Sequence, residues 1–244
     1  MSNVREIGTF YLAPAAWQEP FSLEGPEFTH LAKAIRGRVG DFVCLLDGQG
    51  REGRFSITGI TRHKALLAPQ NIIEHPRPLN RAVLALGWNK ALRRSWLLEK
   101  AVELDAGGVW FWQARHSQAA LPEDGRDIRT GSLIAGAKQC RNPWLPDVKL
   151  LPGGATELAE ASSAFKQRFL LHEDPDLGRM LSPEDISSED APLFILGPEG
   201  GFAPEEVAVL KGAGVTPVSL GKQVLRWETA ALLCLGLSWW GRQG

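Results

Sequence analysis

The sequence predicts an α/β protein preceded by a smaller, strand-rich unit, and three observations carry this expectation. Beyond residue 78, short apolar runs alternate with segments of helical period, the grammar of a parallel sheet covered by helices. Before residue 75, three short strand-like runs lie close together, separated by turn formers, as in a small sheet or barrel. Between the two, His75-Pro76-Arg77-Pro78 can continue neither a helix nor a central strand, because proline lacks a donor and restricts the residue before it. The boundary is placed there, giving domains 1–76 and 77–244.

In chain order, Leu31, Ala34 and Ile35 recur at helical spacing within Phe28 to Arg36, and Gly37 follows where a helix should stop. Phe42 to Leu46, Gly53 to Ile60 and Ala65 to Pro69 are the three short strands, with Asp47-Gly48 as a turn. After the boundary come a strand at Ala82 to Leu86, a helix from Leu92 to Leu104 and a strand at Val109 to Trp112. A helix near Ile128 to Gln139 and strands at Phe169 to Leu171 and Leu193 to Leu196 follow. The pattern ends with a helix from Pro204 to Lys211, a strand at Pro217 to Leu220 and a helix from Glu228 to Trp240.

A chain of 244 residues with 44% hydrophobic and 23% charged residues has globular composition and forms a core without staples. Cys44, Cys140 and Cys234 are far apart and form no C-x-x-C pair, which speaks against a disulfide framework or a zinc site and for a reducing cytoplasm. They are expected to serve as small core hydrophobes. Ala230 to Trp240 is about half the roughly 20 residues a spanning helix needs, and Met1 to Trp17 shows no secretory pattern, so no membrane association is expected. Net charge is -1, yet residues 1–150 carry 20 basic against 15 acidic residues, whereas residues 151–244 carry 7 against 13. This asymmetry allows a basic face suited to phosphates on a nearly neutral molecule; charges scattered over the surface are the alternative.

Two glycine patterns require separate treatment. Gly48-Gln49-Gly50-Arg51-Glu52-Gly53 spells a dinucleotide-binding pattern, but the alternating Arg54 to Ile60 that follows is a strand, so no helix N-terminus awaits a phosphate. A glycine-rich hairpin is the better account. By contrast, the buried-strand pattern at Leu193 runs into Gly197-Pro198-Glu199-Gly200-Gly201, where glycines allow close approach of a ligand at a strand's carboxyl end. No Lys-Ser/Thr follows, and Pro204-Glu205-Glu206 open the next helix, which favours an uncharged or cationic ligand over a triphosphate. A second glycine turn, Leu220-Gly221 with Val224-Leu225-Arg226, lies at the next strand end. Each turn alone is ordinary punctuation of βα units; together they can form one pocket.

The motif Leu196-Gly197-Pro198-Glu199-Gly200-Gly201-Phe202, followed by Leu220-Gly221 and Val224-Leu225-Arg226-Trp227-Glu228-Thr229-Ala230, resembles the paired signature of the SPOUT-class RNA methyltransferases called RsmE. The resemblance extends to Leu98–Leu104 with Lys100 and Glu103-Leu104, to Gln139–Pro146, and to His30-Leu31, Arg36, Gly40-Asp41 and Asp47-Gly48. It implies a SPOUT-type parallel sheet with a C-terminal trefoil knot, plus a small N-terminal PUA-like β-barrel domain for RNA. It also implies a homodimer, S-adenosyl-L-methionine as cofactor, and methylation of uridine N3 in 16S ribosomal RNA of the small ribosomal subunit. The chain departs from the family pattern at Ala203, at Asp105 for glycine, at Lys138 for Glu, at Trp227 for Thr and at Asn142 for Arg. Ala203 sits at a helix N-cap, where losing a Ser or Thr costs about 1 kcal/mol.

On this reading Arg226 and Glu199 are the catalytic candidates: Arg226 stabilises negative charge on the base or grips a phosphate, and Glu199 positions the base or relays its proton. The alternative for Arg226 is an ion pair with Glu228 or Glu199. The cofactor candidates are Leu171, His172, Leu196, Gly197, Pro198, Gly200, Gly201, Leu220, Gly221, Val224, Leu225, Thr229 and Ala230, with His172 alternatively closing a strand. No metal is needed, because a sulfonium is already activated. Phosphate contacts are expected from Lys33, Arg36, Arg38, Arg51, Arg54, Lys90, Arg93, Arg94, Lys138 and Arg141, with Trp88 and Trp144 as candidate stacking platforms. Two rivals stand beside this reading: a non-catalytic RNA-binding ribosome assembly factor, and a knotted methyltransferase of transfer RNA.

Overall fold

The computed structural model describes residues 6–89, 93–123, 130–173, 179–186 and 189–243. It divides into two compact units, one comprising Met1–Arg77 with Ile134–Leu145 and the other Pro78–Leu133 with Pro146–Gly244.

The first unit is a curled five-stranded sheet of β1 (Glu6–Tyr11), β2 (Ser22–Glu24), β3 (Phe42–Leu46), β4 (Arg51–Ile60) and β5 (Lys64–Glu74), in the order β1-β3-β4-β5-β2. Pairing is antiparallel except between β1 and β3. Strands β1 and β2 escaped the sequence reading because they are short, and β1 starts with the mixed run Glu6-Ile7-Gly8-Thr9. The inward residues Phe10, Leu23, Leu31, Val43, Leu45, Phe55 and Ile57 are buried, and Trp17 and Phe21 meet Phe55 edge-on at 5.9 and 5.0 Å. The expected helix at Phe28 begins earlier, as α1 (Gly25–Thr29), and continues as a wider-wound turn over His30–Ile35.

The glycine-rich run is the β3–β4 hairpin. Buried Asp47 accepts hydrogen bonds from the Gln49 and Arg51 amides at 2.7 and 2.9 Å and from Arg51 Nε at 2.6 Å. The loop glycines Gly48 and Gly50 have φ of 74° and 99°, and a Cβ on Gly50 would lie 2.4 Å from the Trp144 ring. These glycines serve a tight turn against a side chain, not a phosphate.

The second unit contains seven parallel strands: β6 (Val83–Gly87), β7 (Gly108–Trp112), β8 (Asp147–Leu151), β9 (Gln167–Leu171), β10 (Arg179–Met180), β11 (Pro192–Leu196) and β12 (Thr216–Ser219). Their order is β10-β12-β9-β11-β6-β7-β8. Strands β6, β7 and β11 are buried throughout, which explains their continuous rather than alternating apolar runs. Val83, Ala85, Leu193 and Ile195 face α4 (Gly154–Ser162) and α5 (Pro204–Gly212) through Leu158 and Leu210. Helices α2 (Arg94–Glu103) and α6 (Trp227–Gly241) pack on each other, and α6 also packs on β11. The expected helix at Ile128 is α3 (Thr130–Cys140), with residues 128–129 outside the described set. Strand β8 and helix α4 had not been anticipated: Asp147-Val148-Lys149 hides the strand behind charges, and small residues dominate the helix. Among the described residues no helix is long and apolar enough to cross a membrane.

Three sequence oddities acquire structural reasons. Asp105, the residue after α2 and its C-cap Leu104, has φ 51°, a left-handed geometry that glycine adopts freely. Its carboxylate meets Arg81 Nη1 at 3.3 Å and Arg242 Nη1 at 3.0 Å, so an ion-pair pair of clasps compensates the strained backbone. At Ala203, Glu206 supplies one half of the missing cap by accepting the Ala203 amide at 2.8 Å. Lys138 spans 2.8 and 2.9 Å to both oxygens of Glu27. Cys44 and Cys234 are buried as expected, and burial pushes the Cys44 thiol up to about 11; Cys140 is exposed, a correction, because it lies at the solvent-facing end of α3.

Replacing Asp105 separates these contributions. Asp105→Ala should destabilise by about 3 kcal/mol, because it strands the buried Arg81 and keeps the left-handed strain. Asp105→Gly should lose about 1 kcal/mol less, since glycine relieves that strain. Urea unfolding of the two variants checks both values, and equal losses would show that the backbone geometry is not strained.

Candidate active site

Register brings the strand ends together. Leu171 pairs with both Leu196 and Val218, so the chain leaves β9, β11 and β12 at one edge of the sheet. The cavity there has a volume of about 750 Å³, a size suited to a nucleoside-like ligand. Its wall follows Leu171–Glu173, Leu196–Glu199, Gly201–Phe202, Ser219–Gly221, Gln223–Ala230 except Thr229, and Arg93.

The first glycine turn is tied down from three sides. The Gly201 amide donates to Pro198 O at 2.9 Å, and Gly201 has φ 72°, which a side chain would strain. Beneath it, Gly87 at the end of β6 lets the turn sit on the sheet: a Cβ there would lie 2.4 Å from Pro198 N. From β7, His116 Nδ1 lies 3.0 Å from Gly200 O, and Gln118 Nε2 donates to Glu199 Oε2 at 3.1 Å. Trp112 donates through Nε1 to Leu196 O at 3.2 Å and stacks on Phe202, which stacks in turn on His172, with ring separations of 5.8 and 6.1 Å. His172 also ends its strand by donating its amide to Val218 O.

The second turn is stabilised by Ser219, whose Oγ accepts the Gly221 amide at 3.1 Å. Arg226 occupies the N-cap of α6 in extended geometry, and its exposed side chain has no hydrogen bond or ion pair among the described residues. The alternative partners considered for it are engaged elsewhere: Glu228 accepts Arg93 Nη1 at 2.9 Å, and Glu199 accepts Gln118.

Most of the residues proposed from sequence therefore surround one cavity: Leu171, His172, Leu196, Gly197, Pro198, Gly201, Leu220, Gly221, Val224, Leu225 and Ala230, with Glu199 and Arg226. Gly200 does not line it, because its carbonyl and Cα face His116, and Thr229 points to solvent. Glu173, Phe202, Ser219, Gln223, Trp227 and Glu228 line it without having been chosen. Phe202 and Glu228 stood inside the quoted motifs, whereas Ser219 could have been found as a turn-forming residue before Leu220-Gly221.

The proposed RNA cations have varied surroundings. Lys33, Arg36 and Arg38 are exposed and form no ion pair among the described residues. Arg51 is turned inward to Asp47, Arg54 and Arg141 both approach Glu6, at 4.0 and 2.7 Å, and Lys138 holds Glu27. Arg93 is at the cavity, Arg94 lies 3.9 Å above the Trp88 ring, and Lys90 falls outside the described residues. Trp88 is buried, which removes it as a stacking platform; Trp144 is half-buried against Gly50.

Comparison with known proteins gives the class. Residues 75–239 match the RNA methyltransferase domain family and residues 23–70 the RNA methyltransferase PUA domain family, so fold and site define an RNA methyltransferase. Ribosomal RNA small subunit methyltransferase E of Mycobacterium bovis is 31% identical over 227 residues, covering 88% of this chain and 84% of the relative. The chain belongs to the ribosomal RNA small subunit methyltransferase E family. The crystal structure of the probable rRNA-methyltransferase from Porphyromonas gingivalis has a TM-score of 0.81 at 26% identity, covering 94% of this chain and 95% of that one. The Neisseria gonorrhoeae methyltransferase E bound to S-adenosyl methionine shares the fold, with a TM-score of 0.74 at 21% identity over 95% and 96% of the two chains.

Gly87→Ala tests how closely the turn depends on the sheet. The added methyl group must displace the Pro198 backbone, and a loss of about 2 kcal/mol is expected in thermal unfolding. An unchanged midpoint would mean that the turn moves freely.

Proposed function

We propose that this chain transfers a methyl group from S-adenosyl-L-methionine to N3 of a uridine in 16S ribosomal RNA of the small ribosomal subunit. The observation that carries the reading is the meeting of the two glycine turns around one cavity at adjacent strand ends. The donor set fits such a cofactor: main-chain groups at Leu196–Gly197 and Leu220–Gly221, apolar walls from Leu171, Val224, Leu225 and Ala230, and carboxylates suited to a cationic ligand. When bound, the cofactor supplies an activated methyl group on a sulfonium.

The residues supply alignment and charge. The rigid turns place the ligand and exclude water from one side. Arg226, extended from the N-cap of α6 and free of protein partners among the described residues, is available to the negative charge that uridine carries once N3 loses its proton. Glu199 is held at the cavity by Gln118, in reach of the base or its proton. Cys140 has no covalent role, because attack of a nitrogen on a sulfonium needs no thiol.

For RNA, Lys33, Arg36 and Arg38 are the first unit's uncompensated cations and the foremost phosphate contacts; Arg54, Arg141 and Lys138 share their charge with carboxylates. A trefoil knot in the C-terminal half, a homodimer and a cytoplasmic location accompany the same reading, which the family resemblance supports.

Two measurements test it. Mass spectrometry of small-subunit RNA from a deletion strain should show one uridine without its N3 methyl group, restored by the wild-type chain and not by Arg226→Ala; in vitro, that variant should lose at least about 100-fold in turnover while keeping cofactor affinity. Complete methylation in the deletion strain would overturn the assignment, and unchanged turnover would remove Arg226 from the chemistry. Affinity for the ribosomal target should fall steeply with salt, and joint replacement of Lys33, Arg36 and Arg38 by Ala should flatten the log–log slope by about 2. A slope that the replacement leaves unchanged would take these three residues off the RNA.

A further inference from the structure

Inside the cavity one ion pair stands apart. Arg93, at the start of α2, and Glu228, in the first turn of α6, both line the wall, and Arg93 Nη1 reaches Glu228 Oε1 at 2.9 Å. Their side chains differ in exposure: 60% for Arg93 and 12% for Glu228. The carboxylate is thus largely withdrawn from water, whereas its cationic partner is solvated and easily displaced. Counting the lining arginines and glutamates, the wall holds Arg93 and Arg226 against Glu173, Glu199 and Glu228, an excess of one negative charge. A sulfonium donor carries one positive charge more than its thioether product, so charge at this wall acts on the difference between the two and little on their shared adenosine.

We propose that the Arg93–Glu228 pair sets the preference of the cavity for donor over product. This rests on the cofactor assignment made under Proposed function. Glu228 attracts the cationic donor, and Arg93, by sharing that carboxylate, moderates the attraction so that donor binding and product departure are both served. Arg93 is then a specificity-determining residue of the cofactor cavity, in place of the phosphate contact expected for it.

The test is calorimetric titration of the full-length chain with S-adenosylmethionine and with S-adenosylhomocysteine, with no turnover involved. The readout is the ratio of the two affinities. Removing one charge of a screened pair near the ligand should shift that ratio about fivefold: upward in Arg93→Gln, which leaves Glu228 unshared, and downward in Glu228→Gln, which leaves Arg93 unopposed. The double variant should return the ratio to within about twofold of wild type, because the two charges cancel. Damage to the fold weakens both ligands together and cannot produce opposite shifts in their ratio. Shifts of the same sign, or ratios unmoved in both single variants, would overturn the proposal while leaving the cofactor assignment intact. Failure of the wild-type chain to bind either ligand would overturn that assignment, and this proposal with it.

Discussion

Strand β11 is buried on both faces and paired along its length with β9, and over Leu193–Leu196 with β6. A parallel strand in that position has no freedom to slip, because a one-residue shift would exchange the side chains facing α4 and α5 for those facing α6. The register it enforces places Gly197 beside Gly87 and opposite the end of β9, and thereby decides where the glycine turn emerges. Every other feature of the site is built onto that edge: the Trp112–Phe202–His172 stack, the Gln118 and His116 contacts, and the second turn after β12.

The cavity joins two kinds of construction. One side is rigid main chain, where glycines allow close approach and hydrogen bonds leave little play. The other is the N-terminal end of α6, where Arg226 and Glu228 carry opposite charges two residues apart and project differently. Glu228 is drawn into a pair with Arg93, and Arg226 stays exposed. A fixed cradle with one unsatisfied cation beside it is what a transfer to an anionic nitrogen demands.

Charge in the first unit follows a similar division between structural and available groups. Arg51 stabilises its own hairpin through Asp47, and Arg141 and Arg54 converge on Glu6. The positive balance of the first 150 residues therefore overstates what is free to meet phosphate. Lys33, Arg36 and Arg38, in the segment from the wide-wound turn to β3, are the cations left without such partners among the described residues.

The sequence by itself determined the alternating α/β order, the strand-rich beginning and the two glycine turns, because proline, glycine and apolar period act over a few residues and leave local marks. It also sufficed to reject a nucleotide role for Gly48–Gly53, since a strand pattern followed. It did not reveal β8 or α4, whose charged and small residues are stabilised by neighbours rather than by their own pattern. Nor did it reveal that Glu228 pairs with Arg93 across 135 positions, that Asp105 bridges Arg81 and Arg242, or that Trp88 is buried. Those outcomes depend on which distant side chains the sheet order brings within hydrogen-bonding distance, a property of three-dimensional packing that no local stretch of chain contains.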